Sequence, residues 1–144
     1  GLIPFFLIPS GSAAKVYDTS IVPSVEDAGN QLREADMWLE NCGIGKALRF
    51  RVGVSCEEIL NNIVKHAGSI NRKEASVDLR ISLHANSITA IIHDEGRPFN
   101  PIEQDPHSGI GLLIAKKSCD EMKYEYMFHQ NILTMNWIMD NSVK

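Results

Sequence analysis

Part-way along this chain the apolar residues change their spacing, and that change limits the folds open to it. From about Lys46 to Ala67 they recur at helical spacing, with Val52, Ile59, Leu60, Ile63, Val64 and Ala67 on one face. Gly68 ends that helix. Beyond it Val77, Leu79, Ile81 and Leu83 alternate with Ser76, Asp78, Arg80 and Ser82, the pattern of a strand with one buried face. His84 to Ser87 reads as a turn and Ile88 to His93 as the returning strand. Upstream, Val16 to Val22 reads as a strand closed by Pro23. A helix follows from a Ser24 cap, with Asp27 completing a weak capping box, to about Glu40, and Asn41-Cys42-Gly43 stops it. Downstream, Gly109-Ile110-Gly111 opens a third helix that runs to about Met122. Tyr124, Tyr126 and Phe128 then alternate, His129-Gln130-Asn131 turns the chain, and Leu133, Met135, Trp137 and Met139 alternate back. Hairpins require antiparallel pairing, and amphipathic helices need one face covered. The expected fold is therefore α+β, a two-layer sandwich of a mainly antiparallel sheet with helices on one face.

A length of 144 residues suits one domain. The net charge of -4 argues against a nucleic-acid binder that works through a basic surface. Cys42, Cys56 and Cys119 are odd in number and lack metal-type spacing, which favours reduced thiols in a cytoplasmic protein. Cys56 falls on the apolar arc of the middle helix and is expected to be buried. The scattered histidines form no zinc motif. Residues 2–9, Leu-Ile-Pro-Phe-Phe-Leu-Ile-Pro, are apolar but too short to span a bilayer and lack the basic start of a signal peptide. Gly1 in place of methionine suggests a cleaved tag or an excised fragment. Ser10 to Ala14 reads as a linker, so residues 1–14 are taken as tag, linker or fragment edge and 15–140 as the domain.

Three polar clusters carry candidate chemistry. The first lies on the middle helix. At about 100° per residue, Glu58, Asn62 and His66 fall within an arc of about 80° beside the apolar face. Asn61 and Asn62 are costly in a helix interior, because their side chains compete for backbone hydrogen bonds. A carboxylate and an amide oxygen one turn apart can serve as a proton acceptor and a magnesium ligand. His66, near the helix end, more often serves the dipole or packing. The second cluster is Asp94-Glu95-Gly96, where a strand gives way to a long loop through Ser108 containing Pro98, Pro101 and Pro106. Asp94 can accept a hydrogen bond from an exocyclic amine such as adenine N6. Gly96 lets backbone approach a flat base. The third cluster is Ser108-Gly109-Ile110-Gly111-Leu112, whose glycines free backbone N–H groups at a helix start, a natural phosphate cradle.

The order Glu58-x-x-x-Asn62-x-x-x-His66, Asp94-x-Gly96, Gly109-x-Gly111-Leu112 resembles the nucleotide-binding boxes of the ATPase superfamily that groups gyrase, a heat-shock chaperone, histidine kinases and mismatch-repair proteins. Within it the chain is most similar to the bacterial anti-sigma-factor serine kinases. The signs are Glu-x-x-x-Asn-x-x-x-His-Ala on the helix, Asp-Glu-Gly-Arg-Pro-Phe-Asn-Pro at 94–101, and Gly-Ile-Gly-Leu-Leu-Ile followed by Asp120 and Tyr124. The resemblance implies a Bergerat-type sandwich that binds ATP with Mg2+. It implies Glu58 as catalytic base, Asn62 as the magnesium residue and Asp94 as the adenine residue. His66, Gly96, Pro98, Phe99, His107, Ser108, Gly109, Ile110, Gly111 and Leu112 would complete the nucleotide site. The implied partners are an anti-sigma antagonist-like protein, a sigma factor, or both, with a homodimer possible and neither a nucleic acid nor a membrane span involved. Two positions depart from the wider pattern. Pro98 stands where a second glycine is common. His107 stands where an arginine often meets the terminal phosphate, and a histidine is mostly neutral near pH 7. An ATP-dependent binding or sequestration module without phosphoryl transfer, cut from a larger sensor or phosphatase, is the competing expectation, and the catalytic domain of a histidine kinase is a third, less favoured one.

Overall fold

The computed structural model describes residues 13–69, 76–95, 98, 100 and 110–139. The elements run β1 (Ala13–Ile21), α1 (Val25–Asn41), α2 (Lys46–Ser69), β2 (Val77–His84), β3 (Ser87–Glu95), α3 (Ile110–Ser118), β4 (Glu121–Met127) and β5 (Gln130–Ile138). The strands form one sheet in the order β1-β2-β3-β5-β4, every pair antiparallel. One face carries the core, and the apolar sides of the helices cover it.

Local chemistry explains the boundaries. Ser24 holds an extended backbone, and its hydroxyl accepts from the Asp27 amide at 3.1 Å. The Asp27 carboxylate reaches back past the cap to the Val22 amide at 2.7 Å, so two otherwise free donors at the start of α1 are met. Gly43, at φ +90°, takes the left-handed turn that ends α1. Arg49 then ties α2 to α1, its guanidinium meeting Asp36 at 3.1 Å and Glu40 at 3.3 Å.

Alternation along β2, β3 and β5 buries Leu79, Ile81, Ala90, Ile92, Leu133, Met135 and Trp137 against Ala35, Leu39, Val52, Ile59, Leu60 and Ile63 from the helices. Burying each large side chain contributes about 1.5–3 kcal/mol.

Several boundaries differ from the sequence reading. The middle helix does not end at Gly68: α2 continues through it to Ser69. Ala13 and Ala14, read as linker, are the first residues of β1, because the ladder to β2 extends that far. The third helix stops at Ser118, four residues early, and Met122 lies in β4 opposite Met135. Its last carbonyl is taken by two side-chain donors, Arg51 Nε at 3.1 Å and Trp137 Nε1 at 2.7 Å, which close the helix there. The last turn is Phe128–His129, both at positive φ, not His129 to Asn131; Gln130 and Asn131 already pair with β3 and β4.

Candidate functional site

The middle helix sets the direction of the site. Near its start, Arg51 reaches the Ser118 carbonyl, which Trp137 also meets. Trp137 pairs with Ile88 at the beginning of β3. From that end α2 advances about 16 Å to Asn62 at 1.5 Å per residue. The strand β3 advances about 20 Å from Ile88 to Asp94 at 3.4 Å per residue. Glu58, Asn61 and Asn62 are half-buried, beside Ile59, Leu60 and Ile63 in the core.

Asp94 closes the inward row of Ile88, Ala90 and Ile92 on β3 and is 8% exposed. Its cross-strand partners are Val77 on β2 and Asn131 on β5. A carboxylate at this depth, at the mouth of an apolar layer, is suited to a polar ligand edge. The Asn131 Oδ1 atom accepts from the Tyr124 hydroxyl, so the acid sits next to a fixed amide.

α3 runs antiparallel to α2. The Ser55 hydroxyl, fully buried, donates to the Ala115 carbonyl at 2.9 Å, and Arg51 meets Ser118 one turn away. Extending that register by one turn brings the start of α3, Ile110 and Gly111, level with Glu58 to Asn62. The first turn of a helix has free N–H groups and a positive dipole end, which favour an anion. The backbone of α2 continues through His66, whose side chain lies outside the described residues, as do those of Ile110 and Leu112. Gly96, Phe99, His107, Ser108 and Gly109 also lie outside the described residues. Pro98 is exposed just past the end of β3.

Sequence reasoning missed Asn131, which it assigned to a turn, and the two anchors Ser55 and Arg51. An alternation that continues from Leu133 back through Asn131 is the signal that points to the first. Burial, reinforced by neighbouring Cys119, pushes Cys56 up to about 12, and burial also raises Cys119, so both stay protonated. All three cysteines are free. Among the described residues no helix is long and apolar enough to cross a membrane.

The family model of the histidine kinase-like ATPase domain matches residues 21–137. This chain belongs to that family, and ATP is the nucleotide the family assigns to it. Among solved structures, the RsbU and RsbW domains of Rv1364c from Mycobacterium tuberculosis superpose with a TM-score of 0.66 at 14% identity, covering 86% of this chain and 32% of that one. The SiaB–SiaC complex from Pseudomonas aeruginosa matches with a TM-score of 0.63 at 11% identity, covering 96% of this chain and 98% of that one. At these identities the likeness is one of fold. The chain thus spans about a third of the first of these relatives and nearly all of the second. A comparison with curated proteins gives no match.

Proposed function

We propose that this domain binds ATP with Mg2+ and acts as a protein serine kinase on an antagonist-type regulatory partner. The reading is supported by the register of α3 on α2, which brings a helix N-terminus level with Glu58 and Asn62, and by the buried Asp94 carboxylate near the end of β3. In this reading Asp94 accepts from the adenine amine, and the first turn of α3 with Gly109 and Gly111 holds phosphate oxygens. The Asn62 amide oxygen would hold magnesium, which when bound would supply charge neutralisation for the phosphates. Glu58, one turn before Asn62 on the same stripe, takes the proton from the attacking serine hydroxyl. Gly96, Pro98, Phe99, His107 and Ser108 belong to the loop over the nucleotide, and His66 to the far end of the stripe.

The family match and the two structural relatives, an RsbW domain and SiaB held with SiaC, support a regulatory role with a protein partner. A sigma factor and a homodimer are further partners under this proposal. The test is intact-mass measurement of neighbouring-gene antagonist proteins after incubation with this chain and Mg-ATP. A gain of one phosphate that disappears in Glu58→Ala is expected. No phosphorylation of any cognate antagonist overturns the kinase reading.

His107 favours one competing reading, an ATP-dependent binding module without transfer. It leaves the terminal phosphate with less positive charge than an arginine would give. In that case Glu58→Ala keeps partner binding and biological output intact. Both readings require Mg-ATP to raise the melting temperature, since a ligand bound only by the native state stabilises it.

A further inference from the structure

The helical layer carries opposite charge on its two flanks. α2 is its middle helix, held to α1 through Arg49 with Asp36 and Glu40, and to α3 through Ser55 with Ala115 and Arg51 with Ser118. All three helices cover one face of the sheet, so their free faces point the same way, with α1 and α3 on opposite sides of α2. α1 carries Glu26, Asp27, Glu34, Asp36 and Glu40 against a single base, Arg33, which turns to Asn30 on its own helix. Asp27 serves the helix start, and Asp36 and Glu40 meet Arg49, while Glu26 and Glu34 are exposed. α3 carries Lys116 and Lys117, both exposed, and no acid.

Apolar side chains stand on the same free face. Met37 on α1 is 57% exposed, Phe50 on α2 71% and Leu113 on α3 52%. Helical spacing sets each of them outward. At about 100° per residue, Phe50 lies opposite Val52, Ile59 and Ile63, which α2 buries. Met37 lies about 160° from buried Ala35, and Leu113 and Lys117 lie about 160° from buried Ala115. An aromatic ring this open, flanked by further apolar side chains and by charge of both signs, marks a protein contact. A two-fold axis parallel to α2 would set α1 of each copy over α3 of the other and bring Phe50 against its counterpart. With helices of 17, 24 and 9 residues and about 10 Å wide, such a pairing covers on the order of 600 Å² of each copy, within the range of specific interfaces.

We propose that the free face of the helical layer docks a second copy of this chain, with the acidic α1 of each copy laid over the basic α3 of the other and Phe50 on the two-fold axis. The pairing requires neither nucleotide nor phosphoryl transfer. The test is sedimentation velocity on the full chain at rising concentration. A dimer that weakens as salt is raised is expected. Lys116→Glu with Lys117→Glu should weaken it about tenfold or more, and so should Glu26→Lys with Glu34→Lys. An equimolar mixture of the two variants should recover the dimer, because both α1–α3 contacts then join opposite charges, and recovery also shows that both variants are folded. One chain with all four reversals should dimerise by itself. A monomer at the highest soluble concentration of the unmodified chain overturns the proposal. So does a dimer that survives either pair of reversals, or failure of the mixture or of the four-fold variant to recover it.

Discussion

Asp94 stands directly across the ladder from Asn131, on the sheet face that the helices cover, and Asn131 accepts from the Tyr124 hydroxyl. Three adjacent strands thus deliver a carboxylate, an amide and a phenol to one end of the sandwich. A buried acid that must meet a ligand in one orientation gains from neighbours that cannot rotate.

Tyr124→Phe removes the donor to Asn131 while keeping the ring. Losing one partner of a partly buried hydrogen bond costs about 1 kcal/mol of folding stability. The nucleotide should bind several-fold more weakly, because the amide beside Asp94 loses that anchor. Asp94→Ala should remove nucleotide binding altogether. Titration with Mg-ATP, followed by melting temperature, separates the two. An unchanged affinity in Tyr124→Phe would detach Asn131 from the site.

Ser55→Ala tests the register of α3. The Ser55 hydroxyl is the buried contact that fixes Ala115 to the middle helix. Its loss leaves a buried carbonyl without that donor, at a cost of about 1–3 kcal/mol. Urea unfolding should show the loss. A weaker Mg-ATP melting shift should accompany it, since α3 then no longer starts level with Glu58 and Asn62.

The β4–β5 turn is less stable than its position requires. Phe128 and His129 have φ of 53° and 60°, the left-handed region that asparagine and glycine fill more easily. Replacing Phe128→Asn together with His129→Gly should stabilise the domain by about 1 kcal/mol or more, read from the urea midpoint. A loss of stability would mean that the exposed Phe128 ring makes contacts that outweigh the backbone strain.

Elements with long periodic signals were legible in the sequence. The stripe of Val52, Ile59, Leu60 and Ile63 fixed the middle helix and its buried face, and the alternation from Val77 to Leu83 fixed a strand and its inward side. The end of α3 was not legible. Lys116, Lys117 and Met122 continue a plausible helix, and only the tertiary donors Arg51 and Trp137 on the Ser118 carbonyl close it. The last turn was missed because its residues, Phe128 and His129, are not turn formers; His129-Gln130-Asn131 carries the better local signal. In the candidate site, Glu58, Asn62 and Asp94 were legible as residue types at spacings that suit one chemistry. The placement of α3 beside Glu58 and Asn62 depends on contacts such as Ser55 with Ala115, which link residues far apart in the chain.

His93 gives the fold a dependence on pH. It neighbours Asp94 in the chain but lies on the outward face, 3.8 Å from the Asp78 carboxylate. Burial lowers its proton affinity below the ordinary histidine value; Asp78 and Asp94 oppose the shift and Arg80 assists it. The unfolded chain therefore binds the proton more readily than the folded one. Stability from this residue is complete above the unfolded value of about 6.5 and is lost as the pH falls through it toward the lower folded value. Urea unfolding at a series of pH values between about 7.5 and 5 should show a decline in the native protein that is smaller in His93→Gln. The difference between the two curves isolates this ring from the carboxylates, which titrate lower. Parallel curves would mean that His93 takes up its proton as easily in the fold as outside it, and that the outward face is open to water.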